Sequence, residues 1–149
     1  MQQAVKLSVK GAGMHTIIVT AAIIVNQDKI LIAQRPAQAE HGLKWEFPGG
    51  KLHVGEDPKA GLQREIQEEL AMEVAVEDIF EVVSHCYGDR HVLLLCYTCR
   101  YLGQQPVARE CRDFRWVRPD EMDGYDFTAA DLPVVKKLQK LLDKKEACQ

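Results

Sequence analysis

The sequence predicts an α/β protein of the α+β kind, in which a mixed β-sheet lies between helices. Six segments have the apolar or alternating composition of strands, and two have the spacing of amphipathic helices. They follow one another in the order β-β-β-α-β-β-β-α, which is typical of a sheet covered by helices. A chain of 149 residues is long enough for one domain with a core. We expect a flexible extension over residues 1–12 and a single domain over residues 13–149.

Apolar runs mark the strands that precede the first helix. Residues 15–25, HTIIVTAAIIV, are rich in β-branched side chains and predict the first strand. Residues 26–28 have the composition of a turn and lead to a second strand over residues 29–34. The polar residues 35–44 predict a loop, and Trp45–Phe47 a short extended segment.

The first helix is predicted over residues 58–70 by its first residues and by its spacing. Asp57 is a favourable N-cap, and Pro58 fits the first helical position. Apolar residues then recur at every fourth position, which gives the helix one face for the core. These apolar residues are Leu62, Ile66 and Leu70.

The second half of the chain predicts three strands and a final helix. Two longer strands are expected at about residues 73–86 and 91–102, followed by a shorter one over residues 113–117. The final helix is expected to begin near residues 128–131. Its apolar face is formed by Leu132, Val135, Leu138 and Leu142.

Three glutamates crowd one face of the first helix. Glu65, Glu68 and Glu69 stand at positions i, i+3 and i+4, so they share an arc of about 100°. Such carboxylates repel one another, but their oxygens are the ligands that Mg²⁺ and Mn²⁺ prefer. An acidic solvated face is the alternative. The turn predicted at residues 48–50, just ahead of the helix, favours a loop–helix cation site.

The stretch from residue 50 to 72 resembles the Nudix box. That pattern is Gly, five residues, Glu, seven residues, then Arg-Glu-apolar-x-Glu-Glu-x-Gly-apolar. It is matched here by Gly50, Glu56, Arg64, Glu65, Ile66, Glu68, Glu69 and Met72. Ala71 replaces the closing glycine, which in the pattern looks like a left-handed helix C-cap. Alanine in that conformation costs about 1 kcal/mol, or the helix continues slightly further.

The resemblance implies metal-dependent hydrolysis of a nucleoside diphosphate linked to another group. By match to the motif, Glu65, Glu68 and Glu69 are the inner ligands of Mg²⁺, for which Mn²⁺ can substitute. The carbonyl of Gly50 is implied as a further donor. We interpret Glu56 and Arg64 as an ion pair that holds the loop to the helix.

Similarity to MutT-type members of the family runs from about residue 15 to 142. It implies that a nucleoside triphosphate is split into monophosphate and pyrophosphate. Glu110 resembles the extra acidic residue that such members bring to the metals from a distant loop, although it could be a solvated loop residue. Arg35 and Lys51 match phosphate-facing positions, where ordinary surface charge is the alternative. Arg90, in GDRH, is grouped with these substrate-binding residues.

The choice of base rests on Asp131. Oxidised-guanine enzymes of this group place Asn where this chain has Asp131. An ionised carboxylate only accepts hydrogen bonds, so it suits the N4 amino group of cytosine and faces O6 of guanine unfavourably. The chain also resembles bacterial pyrophosphohydrolases of CTP and of 5-substituted cytosine nucleotides. Capping of the final helix is the alternative role for Asp131.

Aromatic residues offer surfaces for the base. Phe47, Tyr87 and Phe127 are candidates for packing on it, with the core as their alternative position. We expect a cytosine or 5-modified cytosine nucleotide as substrate. The alternatives are 8-oxo-dGTP and, in another class of function, binding of a nucleotide without cleavage.

Composition excludes several classes of protein. The net charge is −3 and the isoelectric point about 5.9, so no basic surface is available for a nucleic-acid polymer. No apolar run approaches the roughly 20 residues of a membrane span, and the first residues lack the apolar core of a signal peptide. We expect a cytoplasmic monomer or homodimer.

The cysteines predict free thiols. There are five, an odd number without a secretory signal. Cys96 and Cys99 have the spacing of a metal site, but they lie in a predicted strand, where residues three apart point to opposite faces. No second pair completes a set of four ligands, so we expect no metal at this position.

Overall fold

The computed structural model describes residues 15–148, and the predicted extension over residues 1–12 lies outside this range. The strands are β1 (His15–Asn26), β2 (Lys29–Gln34), β3 (Trp45–Glu46), β4 (Gly49–Lys51), β5 (Val74–Tyr87), β6 (Arg90–Tyr101) and β7 (Asp113–Val117). The helices are α1 (Pro58–Leu70) and α2 (Leu132–Ala147), and a 3₁₀ helix spans Pro119–Gly124. The mixed α/β architecture predicted from the sequence is confirmed.

Two elements were missing from the predicted order, namely β4 and the 3₁₀ helix. The turn predicted at residues 48–50 is wrong for Gly49 and Gly50, which pair with β1 in an antiparallel ladder. A Cβ atom on Gly49 would lie 2.0 Å from the carbonyl oxygen of Thr20, so only glycine allows this approach. The 3₁₀ helix has six residues, too few to show a period in the sequence.

The sheet has seven strands and mixed directions. Its main order is β3-β2-β1-β6-β5, with β4 paired to β1 and β7 paired to β2. β1 and β6 are parallel, from His15 opposite Arg90 to Val25 opposite Arg100. The other pairs are antiparallel. The long parallel ladder therefore forms the centre of the molecule.

A core lies on each face of this sheet. Alternate residues of β1 enter different cores, because successive side chains of a strand point to opposite faces. Ala21 and Ile23 pack with residues of α2, whereas Ala22 and Ile24 pack with residues of α1. The sheet is therefore sandwiched between the two helices, as predicted.

The ends of α1 follow the prediction. The carboxylate of Asp57 accepts a hydrogen bond from the N–H of Ala60 at 3.0 Å. Ala71 has φ 54° and ψ 39°, and its N–H donates to the carbonyl of Gln67. It is thus a left-handed C-cap occupied by alanine, a residue that this conformation disfavours.

The apolar face of α2 begins later than predicted. Leu132 was expected to pack, but it is the first residue of the helix and is 42% exposed. Val135 and Leu138 are buried as predicted, and Val134 completes the buried face in place of Leu132.

The cysteines and the helices give two further findings. Cys96 and Cys99 lie in the cores on opposite faces of the sheet, as predicted, and both are free thiols. Among residues 15–148, no helix combines the length and the apolar character needed to cross a membrane.

Candidate active site

Two neighbouring cavities of the structure share part of their lining. One contains residues of α1, and the other contains residues of β1 and β6. The acidic cavity is lined by four carboxylates and one guanidinium, those of Glu46, Glu65, Glu69, Glu110 and Arg35, together with Pro36, Gly49 and Cys111. The β1–β6 pocket has an apolar wall formed by Ile17, Val19, Ala21, Val92 and Leu94. Arg35, Glu46 and Gly49 line both cavities.

The three glutamates of α1 are not placed alike. Glu65 and Glu69, one turn apart, both line the acidic cavity. Glu68 does not line it: its side chain is 46% exposed and pairs with Arg64, four residues earlier, at 3.1 Å. This i, i+4 pair turns Glu68 toward the outer edge of the acidic face.

Burial perturbs the carboxylates of the acidic cavity. Glu69 is 7% exposed and accepts a hydrogen bond from the N–H of Gly49 at 3.2 Å. Burial raises its pKa to about 8, and the nearby charges of Glu46, Glu65 and Glu110 add to the rise. Burial likewise raises the pKa of Glu65, against the effect of Arg64. The lining of the cavity thus places four carboxyl groups close together with one guanidinium.

Glu110 reaches this cavity from a loop that is anchored on the end of α1. The N–H groups of Arg109 and Glu110 donate to the carbonyl of Glu69 at 3.0 and 3.4 Å, and that of Val107 donates to Leu70 at 2.8 Å. The last carbonyls of a helix lack partners within it, so this loop satisfies them. These hydrogen bonds place Glu110 beside Glu69, although the two residues are far apart in the sequence.

Arg64 and Glu56 join the loop to α1. The Nε of Arg64 lies 2.7 Å from Oε2 of Glu56, and its Nη2 lies 2.9 Å from Oε1. Arg64 also donates to the carbonyl of Lys51 at 3.3 Å. The guanidinium lowers the pKa of Glu56 to about 2, so the pair stays charged.

Gly50 lies between the loop and the helix. A Cβ atom at this position would lie 2.3 Å from Oε2 of Glu65, so the absence of a side chain lets the carboxylate pack on the backbone. The carbonyl of Gly50 accepts a hydrogen bond from the hydroxyl of Thr20 at 3.2 Å.

The side chains of the acidic cavity fit a hard divalent cation, because four of them supply carboxylate oxygens. Within residues 15–148, however, no three acidic, histidine or cysteine side chains are already arranged as ligands of one metal. Two of the predicted ligands are instead paired with Arg64, whose Nη1 lies 3.1 Å from carboxylate oxygens of both Glu65 and Glu68.

Asp131 is a buried residue in the lining of the β1–β6 pocket. It is 5% exposed, and its carboxylate accepts a hydrogen bond from the hydroxyl of Thr128. Burial raises its pKa to about 7; the charge of Glu46 contributes, and the hydroxyl of Thr128 and the backbone of Phe47 oppose the rise. The side chain makes no capping hydrogen bond to α2, so the capping alternative gains no support.

Aromatic side chains close two sides of this pocket. Phe47 lines the pocket and is buried, and its ring centroid lies 5.5 Å from that of Phe127. Phe127 is a core residue that does not line the pocket, so it is not placed to pack on a base. The hydroxyl of Tyr87 accepts a hydrogen bond from the N–H of Ala130 at 2.8 Å. Its ring centroid lies 4.5 Å from that of His41, a residue of the loop before β3.

Three cationic side chains belong to the lining of the β1–β6 pocket. Arg35, Lys51 and Arg90 all line it. Arg90 pairs with Glu40, so β6 is linked to the loop between β2 and β3. The structure thus brings the substrate-binding residues predicted from the sequence to one pocket.

Sequence reasoning missed Glu46. Its side chain is 23% exposed and lies 3.0 Å from Arg35 in the wall that the two cavities share. Burial raises its pKa, and Arg35 opposes the rise. The available signal was a charged residue between Trp45 and Phe47, in a segment otherwise apolar.

Comparison with known families places this site in context. Residues 20–137 match the model of the NUDIX domain. The 8-oxo-dGTP diphosphatase of Escherichia coli (strain K12) is 32% identical over 129 residues, which cover 86% of this chain and 100% of that protein. The CTP pyrophosphohydrolase of the same organism is 34% identical over 128 residues, which cover 86% and 95%.

A solved structure agrees with these matches. The solution structure of the E. coli ORF135 protein has a TM-score of 0.74 and 32% identity, covering 87% of this chain and 93% of that one. The chain therefore belongs to the Nudix family, as a MutT-type hydrolase that acts on phosphoanhydride bonds. Enzymes of this family generally use divalent metals.

Proposed function

We propose that this enzyme hydrolyses a nucleoside triphosphate to the monophosphate and pyrophosphate. The observation that carries the proposal is the shared wall of the two cavities. A nucleoside in the β1–β6 pocket would direct its phosphates past Arg35 into the acidic cavity. Relatives named as a diphosphatase and a pyrophosphohydrolase support the same reaction.

The proposed metal is Mg²⁺, with Mn²⁺ as substitute. Glu65, Glu69 and Glu110, which line the acidic cavity, would hold it together with the carbonyl of Gly50, and Glu68 would join them by turning away from its ion pair with Arg64. When bound, it would neutralise phosphate oxygens and lower the pKa of a bound water. The lining of the acidic cavity supports this assignment, since carboxylate oxygens are the ligands that Mg²⁺ prefers.

The remaining residues bind and orient the substrate. A triphosphate carries about four negative charges, and Arg35, Lys51 and Arg90 offer positive charge in the lining of the pocket. The apolar residues of β1 and β6 exclude water from the base. Phe47 and Tyr87 would pack against its edges.

A cytosine or 5-modified cytosine nucleotide is the proposed substrate. Asp131 is a buried acceptor in the lining of the pocket, and in its ionised form it matches the N4 amino group. The 34% identity to a CTP pyrophosphohydrolase supports this choice. The rival substrate, 8-oxo-dGTP, is named for relatives of similar identity.

A screen of about twenty nucleotides with Mg²⁺ tests the proposal, with pyrophosphate and orthophosphate measured separately. We expect pyrophosphate from a cytosine nucleotide at the highest kcat/KM. Release of orthophosphate alone would contradict the reaction, and a higher kcat/KM for 8-oxo-dGTP would contradict the substrate. Tight nucleotide binding without turnover would indicate a binding module.

A further inference from the structure

Arg35 and Glu46 form the boundary between the two cavities. Both side chains line the β1–β6 pocket and also the acidic cavity. A nucleotide that occupies both cavities has one phosphate at this boundary, the one attached to the nucleoside. The orientation of the Arg35 guanidinium therefore matters most for that phosphate.

The guanidinium of Arg35 is held from two sides. Its Nη1 lies 3.2 and 3.0 Å from the two carboxylate oxygens of Glu46. Its Nε donates to the carbonyl of Glu40 at 2.7 Å. Within the described part of the chain, no hydrogen bond of Nη2 to the protein is found, so this group is available to a ligand.

The backbone around the pair is rigid. Ala33 pairs with Glu46 across the β2–β3 ladder. The N–H of Arg35 donates to the carbonyl of Lys44 at 2.9 Å, and the carbonyl of Arg35 accepts from the N–H of Leu43 at 3.1 Å. Both side chains therefore start from fixed backbone positions.

Glu46 is an unfavourable residue for stability alone. Its side chain is only 23% exposed, and it shares the acidic cavity with the carboxylates of Glu65, Glu69 and Glu110. Like charges at such positions are costly. Arg35 is the cation that the structure places against Glu46. A role in the reaction would explain why a residue with this free-energy cost occupies the shared wall.

We propose that Glu46 is a positioning residue, which holds the Arg35 guanidinium in the shared wall so that it faces the phosphate attached to the nucleoside. The proposal rests on the proposed function, because it assumes a nucleotide that spans both cavities. Glu46 acts through Arg35 in this account and does not itself touch the reacting atoms.

A double-mutant cycle tests whether Glu46 acts through Arg35. Glu46→Gln keeps the size of the side chain but loses its charge, and kcat/KM should fall by about 10- to 100-fold. Arg35→Gln should lower kcat/KM at least as much. The double variant should match Arg35→Gln within about twofold, because the two changes remove one interaction. Losses that multiply would show an independent role for Glu46 and overturn the proposal.

Binding without metal gives a second measurement, one that damage to the fold would not reproduce. The dissociation constants of CMP and cytidine, and of dGMP and deoxyguanosine, are compared in chelator. Wild type should prefer the monophosphate of a pair, and Glu46→Gln should reduce this preference while nucleoside affinity stays unchanged. Equal weakening of nucleoside and monophosphate would mean a damaged pocket and would contradict the positioning role.

The matched control is Asp126→Asn. Asp126 pairs with Lys44 at 3.1 Å, next to β3, but it is exposed and lines neither cavity. Its kcat/KM should stay within about twofold of wild type. The two proposals fail differently. A wild type without triphosphate hydrolysis contradicts the proposed function, whereas multiplying losses in an active enzyme contradict only the role of Glu46.

Discussion

The carboxylate of Glu69 accepts a hydrogen bond from the backbone N–H of Gly49 across 3.2 Å. Glu69 belongs to the acidic face of α1, and Gly49 belongs to the wall that the acidic cavity shares with the β1–β6 pocket. This bond fixes the helix that carries the proposed metal ligands against the strand that lines the nucleoside side. The acidic cavity and the β1–β6 pocket are thereby held in a fixed position relative to each other.

Ala71→Gly should stabilise the protein. Ala71 adopts φ 54°, where its side chain is disfavoured and glycine is not. We expect the free energy of unfolding to rise by a few tenths to about 1 kcal/mol, measured by urea denaturation, with activity unchanged.

Ala60→Gly is the matched control for that experiment. Ala60 lies within α1 and is exposed, so glycine there should reduce the free energy of unfolding by about 0.5–1 kcal/mol. If Ala71→Gly also destabilises the protein, the left-handed C-cap is not the conformation in solution.

Asp131→Asn should change the preference for the base. Above pH 7, where the ionised form of Asp131 predominates, its carboxylate accepts hydrogen bonds only. Wild type should then favour dCTP over dUTP by about 1–3 kcal/mol, some 5- to 150-fold in kcat/KM. Asparagine offers both a donor and an acceptor, so the gap should narrow and 8-oxo-dGTP should improve. Measurement of kcat/KM for dCTP, dUTP and 8-oxo-dGTP with wild type and with Asp131→Asn tests whether Asp131 recognises the base. An unchanged order would remove Asp131 from base recognition.

Asp131 should also make stability depend on pH. Burial raises its pKa to about 7 in the folded protein, above the value near 4 of an unfolded chain. The folded state therefore holds the proton more tightly, and this contribution to stability is complete below about pH 4 and lost as pH rises through about 7. Asparagine does not titrate. Relative to wild type, Asp131→Asn should gain stability between about pH 4 and 7, as measured by denaturation at each pH. A constant difference across this range would contradict the raised pKa.

Local signals predicted much of the fold. β2, α1 and β7 begin and end at the predicted residues. Their signals are local: the spacing of apolar residues indicates each element, and Asp57 and Pro58 mark the start of α1. β4 was missed because Gly49 and Gly50 have no strand propensity and pair only through the proximity of β1. That proximity is a tertiary property.

The candidate site divides in the same way. The box on α1 identified its glutamates from their spacing, yet their orientation depends on Arg64, which draws Glu68 out of the cavity. Glu46, in β3, lies in the shared wall only because the folded chain places the two cavities side by side. No pattern within the sequence encodes that meeting, so structure was needed to find it.

Production of pyrophosphate from dCTP by wild type, Glu69→Gln and Glu77→Gln tests the central claim most directly. Glu69 lies buried in the acidic cavity, whereas Glu77 is exposed on β5 and serves as the control. Wild type should release pyrophosphate with Mg²⁺ or Mn²⁺ and none in chelator. Glu69→Gln should remain folded and lose at least about 10³-fold in kcat, roughly 4 kcal/mol, while Glu77→Gln stays unchanged. Full activity of Glu69→Gln, or turnover in chelator, would contradict the account.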